Sequence, residues 1–221
     1  MKQKTLFIAA AIALLGLFIG GTLMFKQQQQ SEVAQQVQVN QQALMRMHSP
    51  LIGAPHAKVT IVEFLDPACE ACAAFYPFVK DIMAKNPEQI RLVVRYAPLH
   101  QGADQVVAAL EAARKQGKYW QALETLLSTQ QQWAINHRAD VNLALPILSG
   151  LGLDMAQLQT DMQSSSVQAI IEQDISDAQA LGVNKTPSYF VNGQPLQSFG
   201  YQQLAELINS ALATPEQAMT K

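Results

Sequence analysis

Cys69 and Cys72 are the only cysteines among 221 residues, and they sit three positions apart. Upstream, Val59-Thr60-Ile61-Val62-Glu63-Phe64-Leu65 is an apolar, β-branched run that reads as a buried strand. Downstream, Phe75, Phe78, Val79, Ile82 and Met83 recur at helical spacing. The pair therefore lies where a strand hands over to a helix, with Cys69 at or just before the first turn. A thiol there meets unpaired backbone N–H groups and the positive end of the helix dipole. Both favour the thiolate, which is the reactive form. Cys72, one turn on, is placed to attack a mixed disulfide formed at Cys69.

Other uses of such a pair fit the residues less well. A structural bridge closing so short a loop constrains little of the unfolded chain. Half a zinc site would need further ligands, and His48, His56, His100 and His137 are scattered without ligand spacing. A two-thiolate copper(I) site stays open as an alternative.

Thr5 to Phe25 carries no charge over 21 residues, about 31 Å as a helix and close to a bilayer's hydrocarbon core. Lys2 and Lys4 precede it and only Lys26 follows, so the positive-inside rule puts residues 1–4 in the cytoplasm and the remainder outside. The expectation is a transmembrane anchor over 5–25. The competing reading is a cleaved signal, which would leave a soluble periplasmic protein, but the small-residue cleavage pattern is poor. Beyond Lys26 the balance is 12 basic against 17 acidic residues, which argues against a nucleic-acid partner.

Residues 26–54 read as a linker or helical stalk, with nine glutamines among the sixteen residues from Gln27 to Gln42. Folded sequence is expected over 55–213. Glu63 is the odd residue of its strand, a carboxylate inside an apolar run. If buried, its pKa would rise and it could exchange a proton with Cys72; at a strand edge it would sit in water. Pro77 lies inside the helix after Cys72, where proline costs about 3 kcal/mol and bends the axis. Ile90 to Tyr96 reads as a second strand. From about 102 to 181 the pattern is helical, with stripes at Val106, Val107, Leu110 and Ala113, at Tyr119, Trp120, Leu123, Leu126 and Leu127, at Leu153, Leu158 and Met162, and at Val167, Ile170, Ile171, Ile175, Ala178 and Leu181. Thr186-Pro187 then precedes a strand, Ser188 to Val191, and Asn192-Gly193 is a hairpin signal. Tyr201, Leu204, Leu207, Ile208 and Leu212 form a last amphipathic helix, and 214–221 reads as a tail.

These features resemble the thioredoxin fold: a strand, Cys-x-x-Cys opening a helix, a proline five residues after the second cysteine, and Thr186-Pro187 before a hairpin. The helical insertion, Gln116-Gly117-Lys118-Tyr119-Trp120, Leu181-Gly182-Val183 and Phe190-Val191-Asn192-Gly193 are similar to the DsbA-like branch of extracytoplasmic thiol–disulfide oxidoreductases. The resemblance covers roughly Pro55 to Ala213. It implies an α/β fold with an inserted helical subdomain, here preceded by a transmembrane helix. It implies Cys69 as exposed nucleophile, Cys72 as buried resolving thiol, and Glu63 as a buried acid. Pro187 would be a cis-proline, with the Thr186 backbone open to an extended substrate strand. No dissociable cofactor is implied. The expected partners are protein thiols and disulfides, together with a membrane redox protein, at the periplasmic face of an inner membrane. The chain departs from the strongly oxidising members, which carry histidine directly before the second cysteine; here the middle residues are Glu70 and Ala71. A carboxylate at 70 would oppose the Cys69 thiolate, so the pair is expected to be less oxidising. Whether it works as oxidase, reductase or isomerase stays open.

Overall fold

The computed structural model describes Met24 and residues 41–214. Apart from Met24, the expected membrane helix, with nearly all of the glutamine-rich stretch and the tail beyond 214, lies outside the described residues. Among the described residues, no helix is long and apolar enough to cross a membrane. The chain divides into units Met1–Gln42 and Ala43–Lys221, and the second carries the architecture below.

Five strands form the main sheet: β1 (Leu51–Gly53), β2 (Val59–Leu65), β3 (Ile90–Tyr96), β6 (Ser188–Val191) and β7 (Gln194–Pro195), in the order β1-β3-β2-β6-β7. β2 and β3 run parallel, joined through helix α1 (Glu70–Lys85), while β6 lies antiparallel on the other side of β2. β2 is thus a central strand, and its near-continuous apolar run follows from burial on both faces. β1 lies in the stretch expected as linker. Its three residues give too short a pattern to read, yet they pair with Val93, Leu92 and Arg91. At Gly53, φ is +114°, and a Cβ there would sit 2.6 Å from the Ile90 carbonyl oxygen, so only glycine allows this close approach.

Period-two alternation sorts the sheet's side chains. Ile61, Leu65, Leu92, Val94, Tyr189 and Val191 join the main core with Cys72, Phe75 and Val79 of α1 and Leu204 and Ile208 of α7 (Tyr201–Ala213). Val62, Phe64, Val93 and Phe190 face the opposite way, onto Leu44, Ala178 and Val183. Each fully buried side chain of this kind stabilises by roughly 1.5–3 kcal/mol. Pro77 is accommodated inside α1.

Between β3 and β6 lies the helical insertion: α2 (Ala103–Lys115), α3 (Tyr119–Ser128), α4 (Val141–Ser149), α5 (Met155–Met162) and α6 (Ser165–Ala180). A two-stranded hairpin, β4 (Ala134–Ile135) with β5 (Arg138–Ala139), interrupts it. The expected stripes fall on α2, α3, α5 and α6. α4 was not among them: Pro146 breaks its periodicity, and only Ala144 and Leu148 of its nine residues are buried. Its start is nevertheless marked, because the Asp140 carboxylate accepts from the Asn142 N–H at 2.9 Å.

α6 also buries two aspartates that its apolar stripe gave no reason to expect. Arg95, on the second face of β3, donates to Asp174 at 2.7 Å and to Asp177 at 2.6 Å. Asp174 also accepts from the Tyr96 N–H at 2.9 Å and lies 2.7 Å from His48 Nε2. Arg46 completes the cluster at Asp177, 2.6 Å away. These contacts fasten residues 43–50 to the sheet and α6, so the folded unit begins before residue 55.

Candidate active site

The loop 66–69 ends β2 and starts α1, and one buried carboxylate organises it. Asp66 accepts from the Ala68 N–H at 2.8 Å, the Leu99 N–H at 2.7 Å and the His100 N–H at 2.8 Å, and His100 Nδ1 lies 2.8 Å away. The Cys69 N–H in turn donates to the Asp66 carbonyl at 3.0 Å. From the insertion, the buried Gln130 side chain donates to the carbonyls of Pro67 at 2.8 Å and Cys69 at 3.0 Å. Asp66 and Gln130 were not singled out from the sequence. Asp66-Pro67 is a turn signal that could have drawn attention; Gln130, inside a run of three glutamines, carries no such signal.

Cys69 is the N-cap of α1, in extended conformation and without a side-chain capping bond of its own. It is only 7% exposed, so the nucleophile expected to be exposed is itself buried, though less completely than Cys72. Both are free thiols. Cys69 Sγ lies 3.2 Å from the Thr186 carbonyl oxygen, and the Thr186–Pro187 peptide is cis. The structure thus brings Cys69, Cys72, Thr186 and Pro187 to one place.

The two sulfurs are electrostatically unlike. Cys69 is pulled down to about 6, chiefly because the Cys72 thiol donates to it; the Thr186 side chain and the N–H groups of Cys72 and Ala71 add to this, against the effect of burial. Cys72 is pushed well above its ordinary value by burial, by its bond to Cys69 and by the charges of Glu63 and Cys69. Glu70, exposed in the first turn, does not figure among the groups that set Cys69. The opposition expected from its carboxylate is therefore not what governs this thiol.

Glu63 is fully buried, because β2 is central and residue 63 points to the same face as Ile61 and Leu65. Burial, with the Cys69 charge adding, pushes its carboxyl up to about 8; the Tyr189 hydroxyl opposes this. No hydrogen bond closes between them, however: both Glu63 oxygens and Tyr189 Oη are buried without a partner. The edge-strand reading of Glu63 is thereby excluded.

A low-pKa cysteine at a helix N-terminus, a buried second thiol one turn on, and a Thr-Pro loop facing the first define a thiol–disulfide oxidoreductase of the thioredoxin fold. The chain belongs to the thioredoxin family, whose model, described as Thioredoxin, matches residues 45–210. Among solved structures it is similar to a thioredoxin-like oxidoreductase from Silicibacter pomeroyi DSS-3, with 34% identity and a TM-score of 0.68 over 78% of this chain and 98% of that one. It shares its fold with the thiol-disulfide exchange protein alpha-DsbA2 from Wolbachia pipientis, at 17% identity and a TM-score of 0.67 over 80% of this chain and 94% of that one. The thioredoxin fold expected from the sequence is borne out by the family match and these structures. Among curated proteins, 145 residues are 31% identical to the Na(+)/H(+) antiporter NhaA of Herminiimonas arsenicoxydans, covering 66% of this chain but 22% of that protein. The chain thus spans about a fifth of the length of the curated relatives it matches.

Proposed function

We propose that this chain exchanges disulfides with protein substrates at the periplasmic face of a membrane, through Cys69-Glu70-Ala71-Cys72. The observation that carries the reading is geometric: Cys69 caps α1 with its Sγ 3.2 Å from the Thr186 carbonyl oxygen, and Cys72 lies fully buried one turn on, an arrangement that pulls Cys69 down to about 6 and holds Cys72 well above its ordinary value. At neutral pH the pair is one nucleophile and one masked thiol. The Cys69 thiolate attacks a substrate disulfide; a Cys69–substrate disulfide forms and one substrate thiolate leaves. Cys72 then loses its proton and attacks Cys69 Sγ. The Cys69–Cys72 bond forms, the second substrate thiolate departs, and the substrate is reduced by two electrons while the pair is oxidised. The reverse sequence oxidises a substrate dithiol. A substrate segment lying extended beside Thr186 and Pro187 would put its sulfur at Cys69. A membrane thiol protein is the proposed redox partner.

The uncharged 21-residue stretch from Thr5 to Phe25, with Lys2 and Lys4 before it, supports a membrane anchor with the folded unit on the non-cytoplasmic side. A low Cys69 pKa favours the reduced state of the pair, which supports oxidation of substrates as the working direction. The test is reduction of insulin disulfides by the dithiol protein, paired with its reduction potential against glutathione. Wild type is expected to turn over and Cys69→Ala to be inactive. Equal activity in the two would contradict the reading. A potential as low as that of reducing members of the fold would reverse the direction.

A further inference from the structure

Tyr189 stands directly opposite Glu63 in the antiparallel register of β2 and β6. Directly opposed side chains in such a pair lie within mutual reach, with Cβ atoms about 4.5–5.5 Å apart. Its ring is buried and stacks on Phe75 of α1, with centroids 6.1 Å apart and planes 30° from parallel. Phenylalanine would fill the same space without burying a hydroxyl. Instead Tyr189 Oη and both Glu63 carboxylate oxygens are sequestered together and bonded to nothing. Buried polar atoms are normally paired, so three orphans side by side mark a place where polar groups serve more than packing.

We propose that Tyr189 is a positioning residue for disulfide exchange, its hydroxyl turning to donate to Glu63 whenever that carboxylate ionises, and so holding it as the base that takes the Cys72 proton. This rests on the oxidoreductase reading above. The groups facing the carboxylate are Cys69, Cys72 and Tyr76 from the loop and α1, and Tyr189 from β6; β3 offers only Val94 opposite it. In the dithiol state the Cys69 charge helps keep Glu63 protonated. Once Cys69 is capped as a mixed disulfide that charge is gone, and the carboxyl ionises more readily when a base is needed. Glu63 then accepts the Cys72 proton, the Cys72 thiolate attacks Cys69 Sγ, and the departing substrate thiolate takes a proton from solvent. The Tyr189 phenol, itself pushed well above its ordinary value by burial and the nearby charges, stays protonated throughout and remains a donor.

The test is Tyr189→Phe, which removes one oxygen and keeps the ring. Resolution of a preformed mixed disulfide at Cys69 is followed against pH in wild type, Tyr189→Phe, Glu63→Gln and the double variant. A lost donor to a charged group is expected to move the midpoint to higher pH and slow resolution about tenfold below it. In the Glu63→Gln background the same change should have no further effect. An unmoved midpoint, or an equal effect in both backgrounds, overturns the proposal. Infrared absorption of the protonated Glu63 carboxyl, assigned by its loss in Glu63→Gln, gives a readout independent of activity. The pH at which this band disappears is expected to rise in Tyr189→Phe, and an unmoved midpoint counts against the hydroxyl as partner of the ionised carboxylate. Failure of wild type itself to exchange disulfides would fall on the oxidoreductase reading, and the infrared result would still decide the proposal.

Discussion

Cys69 Sγ lies 3.2 Å from the carbonyl oxygen of Thr186, a residue 117 positions later in the chain. Two distant loops, one ending β2 and one preceding β6, meet because those strands are neighbours in the sheet. The arrangement puts the Cys69 sulfur beside the half-buried backbone of Thr186, where the proposed substrate strand would dock.

The Cys69 thiol should titrate with a midpoint near 6. Since the thiol of Cys72 is the largest cause of that depression, Cys72→Ala should raise the midpoint. Glu70→Gln should leave it nearly unmoved. Thiolate absorbance against pH in the three proteins is the measurement. A shift in Glu70→Gln larger than that in Cys72→Ala would show that local charge, not the second sulfur, sets the nucleophile.

Glu63 sets a pH dependence of stability. Its folded pKa, about 8, lies above the ordinary 4.5. A raised acid contributes stability below its unfolded pKa, and that contribution is lost as pH rises through the folded value. Stability should therefore fall between about pH 4.5 and 8 on this account. Glu63→Gln should flatten the fall and gain on the order of 3 kcal/mol at pH 7, while slowing Cys72 chemistry. Urea unfolding of both proteins across this range is the check; parallel curves would show that the carboxyl is not held protonated.

The cluster on the other face of the sheet should govern stability without touching the thiols. Asp174→Ala removes a partner from the fully buried Arg95 and is expected to cost about 3–5 kcal/mol. Arg46→Ala removes a partly exposed partner of Asp177 and should cost less than about 1 kcal/mol. Thermal unfolding measures both, and the Cys69 titration should be the same in each. Equal losses would mean that the buried and exposed contacts carry similar weight.

Periodicity made the helices of the insertion other than α4, and the strands β2, β3 and β6, legible, because their apolar residues recur at the spacing that burial requires. Cys69, Cys72 and Thr186-Pro187 were legible as motifs. Glu63 could be singled out as a carboxylate in an apolar strand, but the register that buries it beside Tyr189 is a property of strand order. The roles of Asp66, Gln130 and Asp174 were not legible for a related reason. Each is a polar residue whose partners are backbone groups or side chains brought near only by the fold. β1 and α4 were hidden by brevity and by Pro146.

The most direct measurement is capture of the exchange intermediate. Cys72→Ala, reduced and mixed with a disulfide-bonded substrate protein, is quenched with acid and alkylating agent, and the cross-link is mapped by mass spectrometry. A stable mixed disulfide on Cys69 is expected, absent from Cys69→Ala and transient in wild type. Absence of any adduct in Cys72→Ala, with wild type and both variants equally unreactive, would contradict the assignment of this cysteine pair to disulfide exchange.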